Sequence, residues 1–236
     1  LFYLSQFIKK LKMLKLQNLT LIIPAKYESE TLPTFLNEIK NLGTKNKIVL
    51  QQNDFATINS IENIENIEIC FQNKNGYGAA IIEGINSCDT EYCCIINADG
   101  SMDPKYLPKM LNMCEDKDLV FCSRYEKNAG SDDDTFVTLI GNKIFTFLGN
   151  FLYNLNISDI LFTYILGKTN SFKDLNLSYL DFRLCVEIPI KAKKKSYEYL
   201  CLASHERSRI AGKKKVNALK DGFFILIGLI SFLFKK

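Results

Sequence analysis

The sequence has no tryptophan and only one histidine, His205, among its 236 residues. A zinc site built on several histidines is therefore excluded. The eight cysteines form no Cys-x-x-Cys pair, and several stand in apolar runs, where a free thiol acts as a small hydrophobic side chain. No cleavable signal peptide is visible, so we expect a reducing, cytoplasmic compartment.

The sequence also lacks an apolar run long enough to cross a bilayer. Residues 223–234 are apolar or small throughout, but a spanning helix needs about 20 apolar residues. This segment instead suits a short helix in the membrane interface, with Lys235 and Lys236 at the lipid headgroups. The alternative is a helix buried against the rest of the domain.

Acidic residues are scarce towards the C-terminus. The net charge is only +4, yet residues 191–236 carry twelve lysines and arginines against Glu198, Glu206 and Asp221. Such a basic region favours phosphate groups or an anionic membrane surface as partners. We expect no nucleic-acid partner, because the lysines stand beside an apolar helix and are not interleaved with exposed aromatic residues.

Residues 1–18 combine a loose helical stripe of apolar side chains with intervening lysines. This segment is either a membrane-surface helix or an extra leader ahead of a translation start at Met13. We therefore divide the chain into a leader (1–18), a main domain (19–216) and a basic, apolar, membrane-associating tail (217–236).

From residue 19 onward, short apolar strands alternate with helical patterns. Strands are predicted at 19–23, 47–50, 67–71, 92–96 and 119–122, and helices at 32–42 and 77–86. This rhythm predicts an α/β fold whose mainly parallel sheet is covered by helices on both faces. Active sites in such sheets lie at the carboxyl ends of the strands, where Pro24, Gln51–Gln52, Asn97–Asp99 and Ser123–Arg124 fall.

The rhythm changes after residue 134. We predict a helix at 136–155, a second at 179–191 that Pro189 breaks, a strand at 197–202 and a polar, basic loop at 204–216. Asp132, Asp133 and Asp134 are expected to form a solvated loop. Asp159 stands between two apolar stretches and is either a helix cap or a site residue.

An acidic loop follows the strand at 92–96. Asp99 can ligate Mg²⁺ or Mn²⁺, since hard cations take carboxylate oxygens and share them with substrate phosphates. Asn97 offers only a neutral carbonyl at a position that would suit a second carboxylate, and Ser101 can supplement the set. Asp103 precedes Pro104, which is the pattern of a helix cap.

Two further motifs favour phosphate binding. Gly76 and Gly78 precede a helix, where glycines let the backbone approach a diphosphate. Arg207 and Arg209 can each clamp a phosphate with two donors, and Lys213–Lys215 add positive charge. Taken alone, the second motif would be a solvated basic loop.

In this order, the motifs resemble the family 2 glycosyltransferases of GT-A fold, above all the dolichol- or polyprenol-phosphate sugar transferases. The resemblance runs from about residue 19 to residue 221. Its segments are Pro24-Ala25-Lys26-Tyr27-Glu28, Asn75-Gly76-Tyr77-Gly78 with Glu83-Gly84, Asn97-Ala98-Asp99-Gly100-Ser101, Ser123-Arg124-Tyr125, Ser158-Asp159 and the loop from Glu206-Arg207 to Lys215.

The resemblance implies an inverting transfer of sugar from a nucleotide-sugar donor to a polyprenyl phosphate, with Mg²⁺ or Mn²⁺. Asp99, Asn97 and Ser101 would hold the metal; Asp99, Arg124 and Asp159 would be the catalytic residues, with Arg124 at the acceptor phosphate. The implied donor-binding residues are Pro24, Ala25, Glu28, Gly76, Gly78, Asn97, Ala98, Arg207, Lys213 and Lys215.

The sequence departs from the family pattern at four places, one of which is Phe162-Thr163-Tyr164, where the family often has Gly-Phe-Arg after the Ser-Asp segment. Gln51-Gln52 replace a pair of aspartates, Tyr27 replaces an asparagine, and Asn97 replaces the first aspartate of Asp-x-Asp. The amide at position 97 removes about one negative charge from the metal shell and should weaken Mg²⁺ binding. Two rival functions are therefore kept, a transferase for surface polysaccharide or lipid-linked oligosaccharide and a donor-binding protein that has lost the chemistry.

Overall fold

We describe the protein from a computed structural model, which covers residues 15–212 and 215–234. Most of the predicted leader and Lys213, Lys214, Lys235 and Lys236 lie outside these residues. The described strands are β1 (Leu19–Pro24), β2 (Lys45–Leu50), β3 (Ile67–Phe71), β4 (Tyr92–Ile95), β5 (Leu119–Ser123), β6 (Gly130–Ser131), β7 (Ile165–Lys168), β8 (Tyr199–Ala203) and β9 (His205–Glu206).

One sheet holds seven of these strands in the order β3-β2-β1-β4-β7-β5-β8. All neighbours pair in parallel except β7, which runs antiparallel to both β4 and β5. The two short strands β6 and β9 pair in parallel in a separate ladder. The predicted mainly parallel sheet is confirmed.

The helices cover both faces of the sheet. They are α1 (Leu32–Ile39), α2 (Phe55–Ser60), α3 (Tyr77–Asn86), α4 (Leu107–Met113), α5 (Phe136–Tyr153), α6 (Thr169–Asp174), α7 (Leu184–Lys194) and α8 (Ala218–Ser231), with a 3₁₀ turn at Pro104–Tyr106. Two apolar clusters fill the space between sheet and helices, one on each face. Burial on both faces explains why β1 and β4 read as continuous apolar runs.

Most predicted elements match the structure within a few residues, but the helix predicted at 179–191 begins only at Leu184, and the prediction that Pro189 breaks it was wrong. Helix α7 continues through Pro189. Proline removes one backbone hydrogen bond from a helix interior, but Ile188, Pro189 and Ile190 are all buried here, so tertiary packing holds the helix together. Strand β7 and helices α2 and α6 were not predicted, because their sequences are short and have no clear period.

The carboxyl ends of β1, β2, β4 and β5 lie at one edge of the sheet, since these strands are mutually parallel or reached through one antiparallel neighbour. Pro24, Gln51, Asn97 and Arg124 therefore share that edge, as predicted. All eight cysteines are free thiols. Burial raises the pKa of Cys114 and of Cys185 to about 12, consistent with a packing role. Within the described ranges, no helix combines the length and apolar character needed to cross a membrane.

Candidate functional site

The turn after β1 is held by a residue that the sequence analysis missed. Asp54 is buried; its carboxylate caps α2 by accepting from Thr57 and also accepts the Tyr27 N–H at 2.7 Å. The Thr57 hydroxyl in turn accepts the Glu28 N–H at 2.9 Å. The spacing Asp-x-x-Thr ahead of a helix is an N-cap signal that could have identified Asp54.

The acidic loop is fixed by its own hydrogen bonds. The Asp99 carboxylate is almost buried and accepts from the Ser101 N–H at 3.1 Å and from the Ser101 hydroxyl at 2.8 Å, both at Oδ1. Gly100 between them has φ +75°, a left-handed conformation that favours glycine. Within the loop, Ser101 therefore hydrogen-bonds Oδ1 of Asp99, and Oδ2 accepts no hydrogen bond from Ser101.

Asn97 belongs to a polar chain behind this loop. Its side-chain oxygen accepts from the Tyr77 hydroxyl at 3.0 Å, and that hydroxyl lies 2.6 Å from the hydroxyl of Thr163. Burial raises the pKa of Tyr77 well above its ordinary value, so the phenol stays protonated and donates. Asp103 accepts from the Lys105 N–H at 3.0 Å and caps the 3₁₀ turn, which confirms its predicted role as a cap.

The basic loop lies directly across the acidic loop. The Arg207 N–H donates to the carbonyl of Ser101 at 2.8 Å, and the Ile210 N–H donates to the carbonyl of Asp99 at 2.9 Å. The Arg207 guanidinium donates to the Gly100 carbonyl at 2.7 and 3.1 Å. Two segments that are about a hundred residues apart in sequence therefore form one structural unit.

Two further cations of the basic loop face carboxylates of the site. Arg209 places Nη1 at 3.6 Å from Oδ2 of Asp99 and Nη2 at 3.0 Å from Asp133. Lys215 contacts the Glu28 carboxylate in the turn after β1. Three predicted site residues, Glu28, Asp99 and Lys215, are thus brought to one place, whereas Lys213 lies outside the described residues.

Arg124 and Asp159 form a buried ion pair next to this unit. The guanidinium donates to both carboxylate oxygens of Asp159, at 2.7 and 3.0 Å, and to Glu206 at 3.2 Å. Asp134 lies 3.6 Å away. Burial disfavours the charged guanidinium, but Asp159 and Glu206 outweigh this and raise the pKa of Arg124. The hydrogen bonds of the guanidinium thus go to Asp159 and Glu206, and the predicted contact of Arg124 with an acceptor phosphate stays a prediction.

The predicted solvated loop at 132–134 holds for Asp132, which is exposed, and is wrong for Asp133 and Asp134, which are largely shielded. Asp132 lies 2.9 Å from Nε2 of His205, Asp133 pairs with Arg209, and Asp134 accepts from the Tyr125 hydroxyl at 2.5 Å. Strand β6 pairs with β9 in parallel, and this pairing carries the run of acids into the site. The pairing is long-range and leaves no local trace in the sequence.

The glycine turn before α3 has a packing reason. A Cβ on Gly76 would lie 2.0 Å from the carbonyl oxygen of Leu180, and one on Gly78 would lie 2.2 Å from that of Tyr179. The Ala79 N–H donates to the Leu180 carbonyl at 3.0 Å. The backbone of 179–181 therefore occupies the space beside both glycines, and their contact with a diphosphate stays a prediction, as do the ligand roles of Pro24, Ala25 and Ala98.

The sequence matches known glycosyltransferases over part of its length. The family model of glycosyl transferase family 2 matches residues 20–175. Uncharacterized glycosyltransferases of Mycobacterium bovis and Mycobacterium tuberculosis are 28% identical over 92 residues, which are 39% of this chain and 41% of each relative. The match thus spans about two-fifths of the length of these relatives.

Among solved structures, the chain resembles a glucosyl-3-phosphoglycerate synthase of Mycobacterium tuberculosis in complex with Mn²⁺, UDP and glucosyl-3-phosphoglycerate. The TM-score is 0.71 at 11% identity, over 90% of this chain and 78% of that one. A mannosyl-3-phosphoglycerate synthase of Rubrobacter xylanophilus gives 0.66 at 13% identity, over 91% and 73%. At these identities the likeness concerns the fold, and it confirms the predicted GT-A architecture.

Proposed function

The chain belongs to glycosyl transferase family 2, and from this premise we propose that it transfers a sugar from a nucleotide-sugar donor to a polyprenyl phosphate, with inversion, at the cytoplasmic face of a membrane. One observation carries the proposal. A buried carboxylate, Asp99, stands at the carboxyl edge of the sheet beneath a basic loop whose Arg209 and Lys215 face it and the neighbouring Glu28. A diphosphate needs this combination of a carboxylate that can hold a cation and side chains that neutralise phosphate charge.

The residues present fit a divalent cation that is shared with the donor. Within residues 15–212 and 215–234, no three His, Cys, Asp or Glu side chains gather as a metal site. Mg²⁺, however, is commonly bound through one or two carboxylates together with substrate phosphates. Asp99 would supply the carboxylate, while Ser101 and Asn97 would add neutral oxygens. The cation would neutralise charge on the departing diphosphate.

The chemistry that remains for the protein is mainly positioning. An acceptor phosphate oxygen would attack the anomeric carbon of the sugar. The bond from that carbon to the nucleoside diphosphate would break, and the diphosphate would leave with the electron pair. A phosphate acceptor is already ionised at neutral pH, so little general-base help is needed, and charge neutralisation with orientation carries most of the rate.

We assign Arg209 and Lys215 to the phosphates, which would take over from Asp99 and Glu28 as their partners. Arg124 and Asp159 are positioning residues in this proposal, because their mutual hydrogen bonds and burial commit them to each other. Arg207 supports the acidic loop through the Gly100 carbonyl and also pairs with Glu38 at 2.8 and 3.0 Å.

Two findings support a phosphate-bearing acceptor. Some of the solved structures of the Mycobacterium tuberculosis synthase hold phosphoglyceric acid or glucosyl-3-phosphoglycerate, and the basic residues of this chain cluster near the proposed site. The polyprenyl part of the proposal rests on the apolar C-terminal helix and on the sequence resemblance. Phosphoglyceric acid is accordingly the acceptor to set against polyprenyl phosphate in the same assay.

Donor binding is the first test. The unfolding temperature should rise with one nucleotide-sugar from a panel that includes UDP-glucose, and it should rise further when Mn²⁺ is added, because a ligand of the native state stabilises it. The Asp99→Asn variant should lose the additional rise in unfolding temperature that Mn²⁺ causes. Without ligand, it should unfold at the same temperature as the unchanged protein. If no nucleotide-sugar shifts the transition with or without Mn²⁺, the proposal fails.

A donor-binding protein without transfer is the second candidate, and Asn97 favours it. The neutral amide donates no charge to the cation, and its oxygen already accepts from Tyr77. The variant Asn97→Asp separates the two. If the missing charge limits the site, this variant should bind Mn²⁺ about tenfold more tightly by calorimetry and turn over faster. Unchanged affinity would show that the site never relied on a carboxylate at position 97.

A further inference from the structure

Helix α5 turns its most apolar side chains to solvent. The exposed positions follow one another at intervals of three or four residues and so form one stripe, made of Val137, Ile140, Ile144, Phe147 and Phe151. Phe147 is 66% exposed and Phe151 is 75% exposed. Meanwhile the buried face holds Asn142, Thr146 and Gly149. The inner side also packs Phe145, Leu148 and Leu152 against the core, so the helix is apolar on both sides.

Helix α8 and the residues after it show the same feature. The exposed side chains are Leu219, Phe223, Phe224, Ile227, Ile230, Leu233 and Phe234. Ile225, Leu229 and Phe232 point inward and belong to the apolar cluster under the sheet. Contiguous exposed apolar surface on this scale marks an interaction site.

The two helices lie side by side. Gly222 of α8 lies against the ring of Phe145 in α5, and the Tyr153 hydroxyl of α5 donates to the carbonyl of Leu229 in α8. Because these contacts follow the same order in both helices, the helices run parallel. Both bury their inner side chains against one cluster, so their outer side chains face away from it together. We call the exposed apolar side chains of α5 and α8 the apolar plate.

The charges around the apolar plate indicate what covers it. Lys143 is the only charged residue in 136–153, and residues 222–234 have none. Lys143 is exposed and lies between Ile140 and Phe147 along the stripe, Lys220 is exposed at the start of α8, and Lys194 donates to the Phe232 carbonyl at the far end. Asp221 beside Lys220 is the one carboxylate in α8, and it accepts from the Asn217 N–H. Three lysines against this one acid leave the border of the plate net basic. Two copies face to face would oppose lysines, whereas an anionic lipid surface complements them.

We propose that the apolar plate is a membrane-docking surface, in which α5 and α8 insert their exposed side chains together into the interface of an anionic bilayer. This docking surface is argued from α5 and α8 alone, and it rests on the proposed function only for the identity of the acceptor, a lipid phosphate. Helix α5 begins at Phe136, two residues after Asp134, and Asp134 accepts from the hydroxyl of Tyr125 beside Arg124. Docking would therefore hold the site next to the lipid surface from which a lipid phosphate is drawn.

Vesicle flotation tests the proposal with the full chain. The unchanged protein should float with vesicles of phosphatidylcholine mixed equally with phosphatidylglycerol, and much less with phosphatidylcholine alone. The double variant Phe147→Ser and Phe151→Ser should lower partitioning about tenfold or more, since each phenyl ring contributes buried apolar area. Phe55→Ser is the matched control, because Phe55 is 67% exposed on α2, away from the plate.

Other results would overturn the proposal. Unchanged flotation of the α5 double variant, with loss only in Phe223→Ser and Phe234→Ser, would show that α5 takes no part. A protein that does not float and forms a dimer by light scattering, with the double variant monomeric, would make the plate a contact between two copies. No donor or acceptor is needed in these assays, so the proposed function can fail while docking holds, and the reverse.

Discussion

At the scale of single residues, the buried pair Arg124–Asp159 is the most sensitive point of the site. The Asp159→Asn variant leaves the guanidinium without its bidentate partner, and breaking a buried pair costs about 3 kcal/mol or more. In a chain of this size, the midpoint of thermal unfolding should fall by roughly 6–12 °C. Scanning calorimetry of the variant measures this, and a midpoint within the error of the unchanged protein would contradict a buried structural pair.

Glu206 is the matched control for this prediction. Burial raises its pKa above the ordinary 4.5 in spite of Arg124, so its charge is disfavoured in the folded state. The protonated carboxyl contributes its full stability at a pH below the pKa of Glu206 in the unfolded chain. This contribution is lost as the pH rises through the higher pKa of Glu206 in the folded protein. Glu206→Gln should therefore lower the free energy of unfolding less than Asp159→Asn does, and its stability should rise relative to that of the unchanged protein as the pH rises above about 4.5. A difference that stays constant as the pH rises would contradict the raised pKa.

A substitution at Tyr27 is expected to stabilise the protein. Tyr27 has φ 54°, a left-handed conformation that side chains other than glycine and asparagine rarely take. Tyr27 is also 68% exposed, so its ring contributes little burial. Tyr27→Asn should raise the free energy of unfolding by about 0.5–1 kcal/mol, measured by urea denaturation. The backbone bond to Asp54 is unchanged by the substitution. A loss of stability would show that the contact of the ring with the Lys26 ammonium, 5.6 Å from the ring centroid, outweighs the relief of backbone strain.

At the scale of elements, the glycine turn before α3 distinguishes packing from ligand binding. Gly76→Ala should destabilise the protein strongly, because its Cβ would meet the Leu180 carbonyl at 2.0 Å and its φ is +129°. Gly141→Ala is the control, since nothing lies within 4 Å of its Cβ and it stands inside α5. The free energy of unfolding of Gly141→Ala should be higher than that of the unchanged protein by about 0.5–1 kcal/mol, because alanine stabilises a helix interior relative to glycine. Equal effects at both positions by chemical denaturation would contradict this account of the turn.

The elements that the sequence predicts well are those with a strong period or a long apolar run. Strand β1, helix α3 and the acidic loop after β4 all appear where the pattern places them, because each is decided by residues close in the chain. Strand β7 and the pairing of β6 with β9 were not foreseen. Their positions depend on partners more than 40 residues away and on burial, which the sequence of a four- or two-residue strand does not record.

Some residues of the candidate site could be predicted from the sequence, and others could not. Asp99, Glu28 and the basic loop were predicted to act together, and the structure pairs Arg209 with Asp99 and Lys215 with Glu28. The part that was missed is electrostatic. Asp133 and Asp134 look like solvent-exposed acids in the sequence, but β6 carries them beside Arg209 and Arg124. A partner that is chosen by tertiary pairing cannot be found from local composition.

At the scale of the whole molecule, the two proposals describe one arrangement. The carboxyl edge of the sheet holds the proposed donor site, and the apolar plate begins at the neighbouring helix α5. A family 2 glycosyltransferase arranged in this way would take its donor from water and its acceptor from a lipid surface. Part of the positive charge fits this division, since Arg209 and Lys215 lie on the basic loop and Lys143 and Lys220 lie beside the apolar plate.

The central claim is tested most directly by sugar transfer itself. Purified protein, Mn²⁺, a labelled nucleotide-sugar chosen by the thermal-shift screen and a short-chain polyprenyl phosphate would be combined in detergent, with phosphoglyceric acid as the competing acceptor. We predict labelled sugar on the polyprenyl phosphate, and a rate lowered by about a hundredfold or more in Asp99→Asn. No transfer to either acceptor, or an equal rate in the variant, would contradict the account.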